Sequence, residues 1–256
     1  MKVEPSFGQE GSTGQATVTP TADWLEQLCG WVRRPPGELG PLVWPVVLMP
    51  QRIGPTFAFP PDARTVYQHL RWDATLPEGP LELQARATWV AARAPGSEVA
   101  VVTTASSSGT IVAENEVVVR TERALPPWGD VRLPPMPNVA SERRRLSFAL
   151  SEHDVAAFAE LSGVHEPIHE DAAYAWGLGL ANVLVQELTL LLIVMQVAGA
   201  PSPGSVEMWF PDPVPVGSLL TLWQGAHTWT VLLAATKRPV AAGRIEDPHR
   251  PNGRCA

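Results

Sequence analysis

A chain of 256 residues, 45% of them hydrophobic, is long enough to bury a substantial core as one large domain or two ordinary ones. Its 19 Lys and Arg against 26 Asp and Glu give a formal charge of -7, which argues against a nucleic-acid groove or an anionic membrane surface as the main partner. Two cysteines, Cys29 and Cys255, far apart in the chain, support neither a disulfide framework nor a Cys-based metal site, so a reducing cytoplasm is expected.

Residues 1–20 are rich in Gly, Ser and Thr without a continuous apolar stretch and read as a flexible leader, not a signal peptide. From Asp23 to Arg33, Trp24, Leu25, Leu28 and Trp31 recur at helical spacing, and Pro35 and Pro36 close the helix. A run of half-buried strands follows. Val66, Leu70, Trp72 and Ala74 are expected on one face, with Tyr67, His69, Arg71 and Asp73 on the other. Leu81, Leu83, Ala85, Ala87 and Trp89 alternate with Glu82, Gln84, Arg86 and Thr88. The segments Glu98 to Thr104 and Ile111 to Thr121 continue the sheet after turn signals at Pro95-Gly96 and Ser108-Gly109. Four antiparallel strands make residues 21–124 an N-terminal domain, and the Pro-rich, aperiodic stretch 125–143 is its connection to a second unit.

That unit, residues 144–256, opens with a strand from Arg145 to Leu150. A capping box, Ser151-Glu152-His153-Asp154, then starts a helix whose apolar face includes Val155, Phe158 and Leu161, and Gly163 is its C-cap. The segment from Leu184 to Val197 is apolar almost all round, as expected of a helix covered by a sheet; its longest apolar run, Leu188 to Val194, is far too short to cross a bilayer. Gly199 and Pro201 stop it. Strands at Val206 to Phe210, Leu219 to Trp223, Thr228 to Ala235 and Val240 to Ile245 complete the sheet, so the two halves are alike.

Between the two helices of the second unit lies Ser162-Gly163-Val164-His165-Glu166-Pro167-Ile168-His169-Glu170-Asp171, with Tyr174 and Ala175 close behind. This segment resembles the S/T-G-D-x-N-P-x-H-x-D motif of the MaoC-like (R)-specific enoyl-thioester hydratases and dehydratases. The stretch Trp209-Phe210-Pro211-Asp212-Pro213-Val214-Pro215-Val216-Gly217 resembles the F-x-x-P-V-x-x-G strand and turn of the same family. Together the two cover roughly the last hundred residues. The resemblance implies an α+β double hot-dog architecture, two antiparallel sheets each wrapping a helix, with the site in the C-terminal half.

It also implies an enzyme acting on a thioester of coenzyme A or an acyl carrier protein by acid-base chemistry; with no metal cluster, Gly-rich phosphate loop or nucleophile elbow in the sequence, no cofactor is expected. Hydration of an enoyl thioester needs a base to activate water, an acid for the α-carbon and donors for the enolate-like oxygen. His169 stands at the family's catalytic His. Val164 stands at its catalytic Asp and can neither transfer a proton nor orient water. Glu166, in the Asn position, and Glu187, alone among apolar residues, are therefore the candidate replacements, since a partly buried carboxyl can be raised into a useful range. At the start of the central helix the family's I-x-H-G-M-L reads Val183-Leu184-Val185-Gln186-Glu187-Leu188, so Gln186 adds bulk where glycine gave access. Val164, His165, Gln186, Trp176 and Trp209 are the candidate substrate-binding wall, whereas Trp31 and Trp89 are expected to pack in the core. Asp171 is expected to brace the loop.

Three functions fit these residues. One is hydration or dehydration. A second is a hot-dog enzyme redirected to cyclisation, isomerisation or elimination of another group on a polyketide-like intermediate of secondary metabolism. A third is a non-catalytic acyl-binding or partner-stabilising protein. Homodimer and hetero-oligomer both remain open.

Overall fold

The computed structural model describes residues 12–33, 39–48, 63–73, 76–130, 133–137, 143–201 and 203–246. Ten strands form one continuous antiparallel sheet in the order β1-β3-β4-β5-β2-β7-β10-β9-β8-β6. Its N-terminal half is β1 (Thr13–Val18), β2 (Arg64–Trp72), β3 (Leu81–Arg93), β4 (Gly96–Ser107) and β5 (Thr110–Thr121). Its C-terminal half is β6 (Arg143–Phe148), β7 (Gly204–Trp209), β8 (Leu220–Gln224), β9 (Thr228–Leu233) and β10 (Pro239–Glu246). The two halves repeat the same strand order and meet where β2 pairs with β7, from Tyr67 opposite Trp209 to Trp72 opposite Gly204. Gly204 lets the junction close: a Cβ there would lie 2.9 Å from the Trp72 ring, whose Nε1–H donates to the Pro201 carbonyl at 2.8 Å.

This corrects the expectation of two separate sheets. It also corrects the leader, because Thr13–Val18 forms an edge strand registered against Leu81 to Arg86. That strand has little apolar content to announce it, since an edge needs only one covered face. Residues 1–11 and Cys255 lie outside the described residues.

Among the described residues six helices accompany the sheet: α1 (Ala22–Val32), α2 (Trp44–Val47, entered through a 3-10 turn at Gly40–Val43), α3 (Glu152–Ser162), α4 (Pro167–Glu170), α5 (Ala172–Gly177) and α6 (Glu187–Ala198). Thr21 caps α1 by accepting from the Trp24 amide, and the capping box at Ser151 and Asp154 forms as expected. Gly163 ends α3 in the left-handed conformation, with φ of 73°. The buried helix α6 starts three residues later than its apolar run suggested, because Leu184 is held extended against Pro215. Leu188, Leu190, Leu191, Leu192, Val194 and Met195 are buried, each contributing about 2 kcal/mol of hydrophobic burial. α1 packs on α3 and α2 on α6, which extends the pseudo-repeat to the helices. Among the described residues α2 is a single turn, so the N-terminal half shows no counterpart of α6 in length. None of these helices is long and apolar enough to cross a membrane.

Two bulges change which residues face inwards. One lies at Val66, between Thr65 and Tyr67, and one at Thr88, between Ala87 and Trp89. The first turns Gln68, Leu70 and Trp72 inwards and sends both Val66 and Tyr67 to the outer face; Ala74 lies outside the described residues. The second sends Trp89 outwards and Val90 into the main core. The outer face thereby gains a small core of Val66, Tyr67, Trp89, Ala100, Val118 and Trp209, against which Leu133 of the connecting segment packs.

Candidate active site

The motif segment folds into α4, a single turn with Pro167 at its first position and Glu166 as its N-cap. One turn sets residues three apart side by side, so Glu166 and His169 meet, with Oε2 and Nε2 3.4 Å apart. His169 is 6% exposed, and its Nδ1 lies 2.9 Å from the Leu184 carbonyl. A carbonyl only accepts, so Nδ1 carries a proton and Nε2 is the nitrogen presented to Glu166.

The second motif supports this arrangement from behind. Val185 donates to Val214 and Val216 to Val183, which pins the segment before α6 in an extended form, and Leu184 in turn donates to Ile168. Gln186 then caps α6 without a side-chain bond to the helix. Its Nε2 donates instead to the Val164 carbonyl at 3.1 Å, tying the α6 start to the turn after α3. Its Oε1 is buried without a hydrogen-bond partner. Asp171 caps α5 by accepting from Ala173 and Tyr174, so it braces the loop.

His169, Glu166, Glu187, Val164, Gln186 and Leu188 line one cavity, in which the space open to the centre of a water molecule is about 60 Å³. The opposite wall comes from the N-terminal half: Arg64, Thr65 and Gln68 of β2 and its approach, with Val117 and Val119 of β5. Thr65 pairs with Val119 and Gln68 with Val117 across the bulge, which explains why these four share the inner face. No sequence motif marked them, because their inward direction depends on a bulge that breaks the strand's alternation.

Two proton-holding groups are perturbed. Burial works against a charged His169 ring, but the hydrogen bond to Glu166, the charges of Glu187 and Glu166 and the Leu184 carbonyl outweigh it, and its pKa is raised. Burial raises the Glu187 carboxyl, against the opposing pull of His169 and a hydrogen bond from its own backbone N–H. Since Gln186, Glu187 and Leu188 all face the cavity, the positive end of the α6 dipole points into it.

Three expected wall residues lie elsewhere. His165 is exposed, its Nδ1 3.1 Å from Glu170. Trp176 is 64% exposed, and its indole donates to the Ala181 carbonyl. Trp209 is buried on the outer face of the sheet, edge-on to Tyr67 with ring centroids 5.1 Å apart, and donates to the Pro134 carbonyl at 2.9 Å. In each case the motif fixed the neighbourhood and strand or helix phase turned the side chain away. Among the described residues no group of three His, Cys, Asp or Glu side chains is arranged to hold a metal ion.

Solved structures with a similar fold include HtdX of Mycobacterium tuberculosis, with a TM-score of 0.71 at 16% identity over 91% of this chain and 99% of that one. A MaoC-like dehydratase from Phytophthora capsici gives 0.71 at 14% identity, over 95% and 97%. Peroxisomal multifunctional enzyme type 2 from Drosophila melanogaster gives 0.71 at 18% identity, over 92% of this chain and 49% of that larger one. No protein-family sequence model matches the chain, and no curated protein matches it by sequence. The likeness is one of fold: the chain carries the hot-dog fold of the MaoC-like dehydratases, its two halves fused through β2 and β7.

Proposed function

We propose that this protein adds water to, or removes it across, the α,β double bond of an acyl thioester, with His169 and Glu166 as its proton-handling pair and Glu187 as a third group in the same cavity. The observation that carries this reading is the 3.4 Å approach of His169 Nε2 to Glu166 Oε2 inside a cavity that also holds Glu187. With Nδ1–H committed to Leu184, Nε2 and Glu166 share one proton, as a pair whose imidazole is raised rather than lowered. In the hydration direction the Glu166 carboxylate takes the proton of the attacking water, and the imidazolium, or Glu187 in its protonated form, which burial favours, gives one to the α-carbon. The α6 N-terminus faces the developing enolate oxygen with its dipole and the Leu188 amide; the Glu187 amide is engaged by its own carboxylate. Glu166 thus does from the Asn position what Val164 cannot do from the Asp position.

The test follows the conjugated enoyl-thioester absorbance with short trans-2-enoyl substrates. Loss of absorbance in wild type that disappears in His169→Ala supports the reading; wild-type inactivity over the whole panel overturns it.

One observation favours a second reading, a redirected reaction such as intramolecular addition. Val164 is 5% exposed and forms part of the cavity wall, so an apolar surface stands where a water-holding carboxylate would otherwise be. A cavity that holds a chain in a reactive shape contributes to rate without a full acid-base pair.

A further inference from the structure

Arg64 is the first residue of β2, half-buried, and its side chain lines two cavities at once: the reactive one and a neighbouring groove of about 520 Å³. Among the described residues no carboxylate stands within ion-pairing distance of its guanidinium. The other arginines around it differ in this respect. Arg93 and Arg120, which line the groove, both reach the buried Glu98, and Arg238 pairs with Asp212. Glu187 shares the reactive cavity with Arg64 and interacts with it through space, but its carboxylate is turned back onto its own amide. A partly desolvated guanidinium with no acid opposite it is costly to hold, and its forked donors match a carboxylate in both shape and charge.

We propose that Arg64 receives a carboxylate carried by the acyl group of the substrate, at the junction of the reactive cavity and the groove, so that the enzyme acts on short acyl thioesters bearing a second acid group. This inference rests on the acyl-thioester reading above. The size of the reactive cavity favours a short chain over a long one. A phosphate of the carrier is the other anion such a substrate holds. The pantetheine arm, however, separates it from the thioester by much more than the width of the small cavity that Arg64 and His169 both line. Burial lowers the Arg64 pKa from its ordinary value, with Arg120 adding to it, against the longer-range pull of Glu187, Asp212 and Glu98.

The experiment uses the full chain and two unreactive four-carbon probes, the thioesters of pantetheine with succinate and with butyrate, titrated calorimetrically. Neither probe has a phosphate, and they differ only in a carboxylate against a methyl group. Wild type is expected to bind the succinyl probe about 10- to 100-fold more tightly, the range of one charge-assisted hydrogen-bonded pair. In Arg64→Met the ratio should fall to about one, and Arg64→Lys should retain part of it, because a point charge keeps the attraction but loses the fork. Equal wild-type affinities, or a ratio that survives in Arg64→Met, overturn the inference while leaving the thioester reading in place. Binding of neither probe overturns that reading, and this inference falls with it. A third probe, butyryl-coenzyme A, carries the phosphates: if Arg64→Met weakens its binding and leaves both pantetheine probes unchanged, the arginine serves a carrier phosphate and the inference is likewise overturned. The wild-type ratio requires no variant, so it decides the matter even if Arg64→Met fails to fold.

Discussion

His169 Nε2 and Glu166 Oε2 lie 3.4 Å apart across one helical turn, with the far side of the imidazole anchored on the Leu184 carbonyl. If the two groups share a proton, as proposed, they act as a unit. His169→Ala and Glu166→Gln should each lower kcat/KM by about 10²- to 10⁴-fold, and the double variant should be no worse than the weaker single. Multiplicative losses in the double variant would show that the residues work independently. Glu166→Gln should also lower the His169 pKa, since it removes the hydrogen bond and charge that oppose burial. A titration of the ring by NMR reads that shift directly.

Glu187 gives a prediction for stability against pH. Its pKa is raised in the folded protein, so above the ordinary glutamate value of about 4.3 the folded state holds a proton that the unfolded chain has released, and stability falls as pH rises. His169, also raised, contributes stability that is complete below its ordinary value of about 6.5 and is lost as pH climbs through the folded value. Glu187→Gln removes the first of these slopes. Urea unfolding should therefore find the variant gaining on wild type steadily from about pH 4.5 upwards, while its turnover drops by about 10²-fold or more. A constant gap across that range would mean that Glu187 is ionised throughout.

Capping and apolar patterning made the second half legible. Ser151, Asp154 and Gly163 mark the ends of α3 through local hydrogen bonds and backbone sign, which depend on few residues. The same locality let the motif bring Glu166 beside His169. What the sequence hid depends on register. Thr65 and Gln68 both enter the cavity because a bulge at Val66 resets the phase of β2, and Trp209 leaves it because β7 turns that side chain towards Tyr67. The fusion of both halves into one sheet is a pairing of strands more than a hundred residues apart, β2 with β7, which no local pattern encodes.

Trp209 tests that account of register. As a wall of a substrate tunnel its replacement would raise KM; as a packing residue on the outer face it should not. Trp209→Phe keeps the edge-on contact with Tyr67 but loses the hydrogen bond to Pro134, and the unpaired carbonyl should cost about 1 to 2 kcal/mol of stability. Thermal unfolding and steady-state kinetics on the same sample separate the two roles. A raised KM at unchanged stability would return Trp209 to the site.

Val164→Asp separates the proposed reaction from its redirected alternative. The side chain of Val164 lies in the cavity wall, and the Gln186 amide already holds its backbone carbonyl, so an aspartate would arrive in a fixed backbone setting beside the His169 pocket. Its carboxylate would be buried at 5% exposure, and stability should fall by about 1 to 3 kcal/mol unless the Gln186 side chain or His169 compensates it. If Glu166 has taken over the role of the missing acid, wild type already hydrates short trans-2-enoyl thioesters, and the new carboxylate changes kcat/KM by less than about tenfold, because a second base adds little to a pair that shares a proton. If the apolar wall instead serves a different reaction, wild type is inert towards these substrates and Val164→Asp gains hydration, with the gain abolished by a further His169→Ala. The direction of change on this one substitution therefore decides whether Val164 marks a rebuilt dyad or a diverted one.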